Sequence, residues 1–207
     1  MHNKAVKQLE TLRKECPDAT YYLTYETPFQ LVMATILSAQ CMDVVVNRVT
    51  PNLYKKYKKP EDVLQVTVEE LAEDIKGITY FQAKAKYIKK ACQTLVDDFN
   101  SEVPEEIVDL VKLSGVGKKT ANAIQQNAFG KVNGVIVDTH VIRLGQRLGW
   151  TQNKNPEKIE KDLMAIFPKN TWKSIPHLLK KHGQTICTAR KAKCDECILQ
   201  KSCPKLV

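Results

Sequence analysis

The 207-residue chain has no run of about 18 apolar residues, the length a helix needs to cross a bilayer, so no membrane span is expected. Its first 15 residues are charged and helical in pattern, with no apolar h-region, so no secretory signal is expected either. Both absences point to the cytoplasm, where thiols stay reduced unless they bind metal. No segment repeats and none is of low complexity. Acidic residues are the minority: Lys and Arg number 32 against 23 Asp and Glu, a net charge of +9 and a pI near 9.1. That balance suggests a polyanionic partner; a merely basic protein is the alternative. What is present is enough for a core, since 43% of residues are hydrophobic.

The pattern is helical almost throughout. Residues 1–15 read as a helix with Val6, Leu9 and Leu12 on one side, ended by Cys16-Pro17-Asp18. Pro28 opens a helix to about Ser38 that is apolar nearly all round, the mark of a buried central helix. Asp43 is expected to cap the next, Val44 to Tyr57, with Pro51 as an interruption or a new start. Short helices follow from Pro60 and from Thr67, where Thr67-Val68-Glu69-Glu70 has the capping-box form; Gly77 stops the second. Residues 77–83 read as a loop with exposed aromatic and apolar side chains. Lys84 to Phe99 reads as a long helix with an inner stripe of Tyr87, Ile88, Ala91, Leu95 and Val96 and with its lysines outward. Val132 to Val137 is β-branched but isolated among helices, which argues for an extended connector. Helices are then expected from Asp138 to Leu148, from Pro156 to Phe167, and from Ser174 to His182, the last closed by Gly183. The expected fold is all-α, with about ten helices.

The stretch 113–124, Leu-Ser-Gly-Val-Gly-Lys-Lys-Thr-Ala-Asn-Ala-Ile, is the most informative. A short helix precedes it, with Pro104, Glu105 and Glu106 suited to a first turn and Ile107, Leu110, Val111 and Leu113 at helical spacing. A second runs from about Lys118 to Phe129, closed by Gly130. Gly115 and Gly117 allow positive φ and leave room for a ligand, while Val116 plugs inward. Such a hairpin points backbone N–H groups and Lys118 outward and can hold a phosphate without reading a base. An αα-corner whose glycines serve only the turn is the plainer reading. Lys119 sits in the first turn of the second helix, where the helix dipole and Lys118 both disfavour an ammonium, as a nucleophile requires. A solvated lysine pair is the plainer reading there. Asp138, after Val135-Ile136-Val137, is expected to cap a helix while presenting a free oxygen to a cleft.

Seven cysteines are present, four of them late: Cys187-x6-Cys194-x2-Cys197-x5-Cys203. Four thiolates so close can wrap one metal centre, and both tetrahedral zinc and a [4Fe–4S] cluster suit them. Arg190, Lys191 and Lys193 lie on the loop between the first two and would be held on a short arc suited to successive phosphates. Cys16, Cys41 and Cys92 are expected as buried small hydrophobes.

The 113–124 stretch resembles the helix-hairpin-helix motif of the DNA glycosylase superfamily. Gly-Val-Gly-Lys-Lys-Thr-Ala-Asn at 115–122, Val-Asp-Thr-His-Val at 137–141 and the cysteine spacing together resemble its endonuclease III branch. The resemblance covers nearly the whole chain. It implies two helical lobes, a barrel domain over 21–132 and a discontinuous domain of 1–20 plus 133–207, with DNA in the cleft between them. It implies a catalytic lysine at Lys119 and a catalytic aspartate at Asp138; relatives lacking the lysine remove a base without cutting the strand. It implies a [4Fe–4S] cluster on the four late cysteines, and duplex DNA with damaged bases or abasic sites as partner of a monomer, in the nucleoid if the source is bacterial or archaeal. Gln40 matches a position that fills the gap left by a flipped nucleotide. The loop after Gly77 supplies an apolar wedge, Ile78 by position, although the loop is longer here than the branch pattern and Tyr80 or Phe81 could take that part. The implied activity is excision of oxidised pyrimidines with strand cleavage. A related glycosylase acting on another base, such as oxidised guanine, and a non-catalytic DNA-binding module are the alternatives.

Overall fold

The computed structural model describes residues 2–205. Among them are eleven α-helices and no β-strand. In chain order they are α1 (His2–Glu15), α2 (Pro28–Ser38), α3 (Asp43–Lys56), α4 (Pro60–Leu64), α5 (Val68–Asp74), α6 (Phe81–Phe99), α7 (Ile107–Leu110), α8 (Lys118–Ala128), α9 (Thr139–Arg147), α10 (Pro156–Ile166) and α11 (Ser174–Thr185). Two short 3-10 turns, Lys169–Thr171 and Cys194–Glu196, complete the set. No helix is long and apolar enough to cross a membrane among the described residues. The chain divides into two compact units: Tyr22–Lys131 is continuous, whereas Met1–Tyr21 joins Val132–Val207.

In the continuous unit α2 is the axis. Thr27 caps it by accepting the Gln30 N–H at 3.2 Å, Pro28 fills the first helical position, and every residue from Phe29 to Leu37 is buried. Helices α3, α6 and α8 pack on α2, while α4 and α5 pack on α6. Thr67 and Glu70 form a reciprocal capping box at the start of α5. Three expectations change here. Asp43 is the first helical residue of α3 and Met42 its cap, without a side-chain bond. Pro51 lies inside α3 without ending it, because Val46, Thr50 and Leu53 are buried on both sides of it; that packing outweighs a cost of roughly 3 kcal/mol. Helix α6 starts at Phe81, three residues before the expected Lys84, and two of its lysines turn inward. Lys89 Nζ reaches the Leu64 carbonyl at the end of α4 and the Val66 carbonyl beyond it, and Lys84 is 4% exposed.

The discontinuous unit packs α11 against α9 and α1, with α10 on α1 and α9. Its core includes Leu9, Leu12, Val141, Leu144, Leu163 and Leu179. Trp150 stacks edge-on against Phe167 at 4.8 Å and donates from Nε1 to Gln8 Oε1 at 2.7 Å. Gln8 Nε2 in turn donates to the Ser202 carbonyl at 2.8 Å, so this buried amide is satisfied and ties α1 to the segment holding the late cysteines. Gly183 does not close α11, which continues to Thr185. A Cβ at Gly183 would lie 2.7 Å from His140 Nδ1 and 2.8 Å from Arg143 Nη2, so glycine permits close packing of α11 on α9 rather than a turn.

Candidate functional site

The hairpin lies in the continuous unit. Helix α7 is a single turn capped by Glu106, so Pro104 and Glu105 precede it instead of opening it. The Val116 N–H bonds the Leu113 carbonyl at 3.0 Å, and the Val116 side chain is buried, closing the turn as a plug. Gly115 has φ +84°, and a Cβ there would press on Tyr87 Cβ at 3.1 Å and Ile36 Cγ2 at 3.3 Å. Both its conformation and its packing against α6 and α2 therefore require glycine. Gly117 caps α8 without any side chain to accept the first N–H groups, and the first turn holds no acidic residue. Gly117, Lys118 and Lys119 are exposed. A helix start with no side-chain cap and two lysines in its first turn is suited to an anion.

Asp138 lies in the discontinuous unit, at the end of the extended connector. It caps α9: Oδ1 accepts the Val141 N–H at 2.8 Å. The residue is half-buried. His140 contacts Arg143, whose Nη2 donates to the Gly183 and Cys187 carbonyls at 2.9 and 3.1 Å.

Two turns of the continuous unit carry the other residues expected at the site. Gln40, just past α2, is exposed and left-handed at φ 51°. Ile78 is 2% exposed, one of the most buried side chains of the chain, and cannot intrude into DNA without emptying its own core site. The exposed residue of that turn is Tyr80, at 65%, also left-handed at φ 58°. Phe81 is half-buried.

The four late cysteines line one pocket, together with Leu144, Arg147 and His182. Arg147 Nη1 lies 3.4 Å from Cys187 Sγ and donates to the Thr188 carbonyl at 2.8 Å; the Lys205 N–H lies 3.3 Å from Cys203 Sγ. Burial, followed by the neighbouring thiols, pushes the Cys197 thiol up. Four cysteines on one pocket form a donor set that fits a metal centre. Among the described residues no group of three or more His, Cys, Asp or Glu side chains is close enough to hold one ion, although the four cysteines share one pocket. The loop between Cys187 and Cys194 is pinched by an antiparallel bridge from Cys187 to Ala192 and by Thr188 Oγ1 donating to the Lys191 carbonyl at 2.6 Å. Arg190, Lys191 and Lys193 are exposed on it, although Lys193 is drawn toward Glu196 at 3.8 Å. Cys16 and Cys92 are buried, Cys92 with its thiol pushed up to about 12 by desolvation, but Cys41 is only half-buried.

Residues 33–169 match the sequence pattern of the HhH-GPD superfamily base excision DNA repair proteins. The chain belongs to that superfamily. Among HhH-GPD relatives, endonuclease III of Synechocystis is 44% identical over 201 residues, covering 97% of this chain and 92% of its own. Endonuclease III of Bacillus subtilis is 46% identical, covering 90% and 85%. A solved structure of a trapped covalent intermediate of endonuclease III with DNA matches at TM-score 0.92 and 40% identity, over 99% of this chain and 96% of that one.

Sequence reasoning missed three contributors within this HhH-GPD chain. Arg143 and Arg147, four apart on α9, hold the start of the cysteine loop, which their spacing alone did not reveal. Lys84 carried a readable sign: it shares the 84, 88, 91, 95 register of the buried face of α6.

Proposed function

We propose that this chain excises oxidised pyrimidines from duplex DNA and then cuts the strand at the abasic site. The observation that carries the reading is Lys119, an exposed amine in the first turn of an uncapped helix that follows Gly-Val-Gly. A phosphate at the N-terminus of α8 would bring the sugar of a nearby nucleotide to that amine. The damaged base leaves the stack. Neutral Lys119 forms a bond to C1′ as the bond from C1′ to the base breaks, and the base departs with a proton. The Asp138 carboxylate stabilises the positive charge that develops at the sugar and assists proton transfer. The ring opens to a Schiff base on Lys119. Loss of the C2′ proton then expels the 3′ phosphate, and water frees the lysine. The relative trapped as a covalent intermediate with DNA supports this route.

Cys187, Cys194, Cys197 and Cys203, which all line one pocket, would hold a [4Fe–4S] cluster, the group that the x6, x2, x5 spacing and the endonuclease III relatives favour over zinc. Once bound, the cluster supplies a rigid four-point anchor and takes no part in base removal. It would stiffen the loop that presents Arg190, Lys191 and Lys193 to phosphates, and Arg147 would donate to the Cys187 thiolate.

Borohydride present during turnover on a duplex with one oxidised pyrimidine is expected to link protein to DNA. Lys119→Gln is expected to abolish the adduct; its persistence would reassign the nucleophile. A panel of single-lesion duplexes, including oxidised guanine, reads the base preference. Iron and acid-labile sulfide are expected in the purified protein, and stoichiometric zinc in a colourless preparation would overturn the cluster.

A further inference from the structure

We propose that Lys84 is a positioning residue that fixes the Gln40 turn relative to the Tyr80 turn, so that the two exposed side chains enter a duplex as a set. The proposal rests on the glycosylase reading above. Lys84 is buried at 4% exposure, and its ammonium is met by two backbone carbonyls. Its Nζ donates to the Leu37 carbonyl at 2.8 Å and to the Ala39 carbonyl at 2.6 Å. These groups end α2, where the helix dipole favours a cation, and Ala39 immediately precedes Gln40. The backbone N–H of Lys84 bonds the Tyr80 carbonyl at 3.0 Å. One residue thus holds the entry to the first turn with its side chain and the second turn with its main chain.

Both turns need holding. Gln40 and Tyr80 are non-glycine residues in the left-handed region, a conformation that persists only when the surroundings impose it. An apolar residue at position 84 would fill the same space on the inner face of α6 without desolvating an ammonium. Burial indeed pulls the Lys84 pKa down. The chain accepts this cost at a place where two exposed turns must keep one spacing, and a spacing error of about 1 Å at such a site can cost on the order of 100-fold in rate.

The test uses the full-length, cluster-loaded protein. Lys84→Met keeps the stem and removes the donors; Lys84→Gln, which keeps a donor, is carried beside it in case the first fails to fold. Each is assayed on a duplex lesion and on an abasic site in single-stranded DNA, where no gap needs filling. Either variant is expected to lose about tenfold or more in kcat/KM on the duplex and less than about twofold in borohydride trapping on the single strand. In a Gln40→Ala, Tyr80→Ala background, the Lys84 substitution is expected to add nothing, because the side chains it positions are gone. Equal losses on both substrates, a full additive loss in the double-alanine background, or no loss at all would each overturn the proposal. If wild type forms no adduct on either DNA, it is the glycosylase reading that fails.

Discussion

Helices α8 and α9 begin in opposite ways. In the continuous unit, α8 starts from Gly117, which has no side chain to cap it, and its first turn is basic. In the discontinuous unit, α9 starts from Asp138, whose own carboxylate closes the end by accepting the Val141 N–H at 2.8 Å. The physics of the helix terminus is the same in both. One end has no side-chain cap, and the other is capped by its own chain. The difference teaches that a missing cap on a well-packed helix is as informative as a present one. The open end stands beside the lysine proposed to attack, and the closed end holds the carboxylate proposed to steady the charge.

The comparison breaks most sharply at the two reactive groups. Lys119→Gln is expected to lower base excision by roughly 1,000-fold or more while duplex binding, measured by anisotropy, stays within a few-fold. Asp138→Asn keeps a good cap and removes the charge, so activity is expected to fall roughly 100-fold with the melting temperature nearly unchanged. Asp138→Ala removes both, and is expected to cost about 1 kcal/mol of stability as well. Equal melting losses in the two Asp138 variants would show that the capping bond contributes little.

The α8 end can be closed by design. Gly117 has φ −87°, and a Cβ there meets nothing within 4 Å, so a side chain is tolerated. Gly117→Asp is expected to stabilise the chain by a few tenths of a kcal/mol through capping. It is also expected to weaken duplex binding and lower the salt slope by about 1, because the new carboxylate takes the place of a phosphate. An unchanged salt slope would remove α8 from the phosphate contacts.

A further effect, on stability alone, concerns the surroundings of Asp138. His177 on α11 is buried, and both its ring nitrogens lack a protein partner. Burial, then Lys173 and Lys180, lower its pKa from 6.5 to about 4, with Asp138 pulling the other way. The folded chain thus keeps this imidazole neutral where the unfolded chain would protonate it. Stability is full above the unfolded value near 6.5 and is lost as pH falls toward about 4, by up to a few kcal/mol in total. His177→Leu is expected to flatten the stability slope in urea unfolding between pH 7 and pH 5.5. An unaltered slope would place the titration elsewhere.

Much was legible from local chemistry. Pro28 at the start of α2, Thr67 with Glu70 on α5, and Asp138 before α9 act through groups within four residues of one another, so order in the sequence stands in for distance. The errors share the opposite cause. Ile78 is the wedge expected from its position in the family pattern, with Tyr80 or Phe81 as the alternative, yet the core covers Ile78 and leaves Tyr80 outside. Lys84 read as a surface lysine because lysines usually are, yet carbonyls 45 and 47 positions away claim it. Gly183 read as a stop because glycine often ends a helix, yet the nearness of His140 and Arg143 explains it.

By itself the sequence determined the helical class, the order of the elements, the hairpin glycines and the cysteine spacing, since each depends on residues within a few turns along the chain. Tertiary structure alone decided which lysine is buried, which member of the 77–83 turn is exposed, and which glycine serves a close approach. Those outcomes depend on what lies across the core, and burial is a property of neighbours in space that composition and periodicity do not encode.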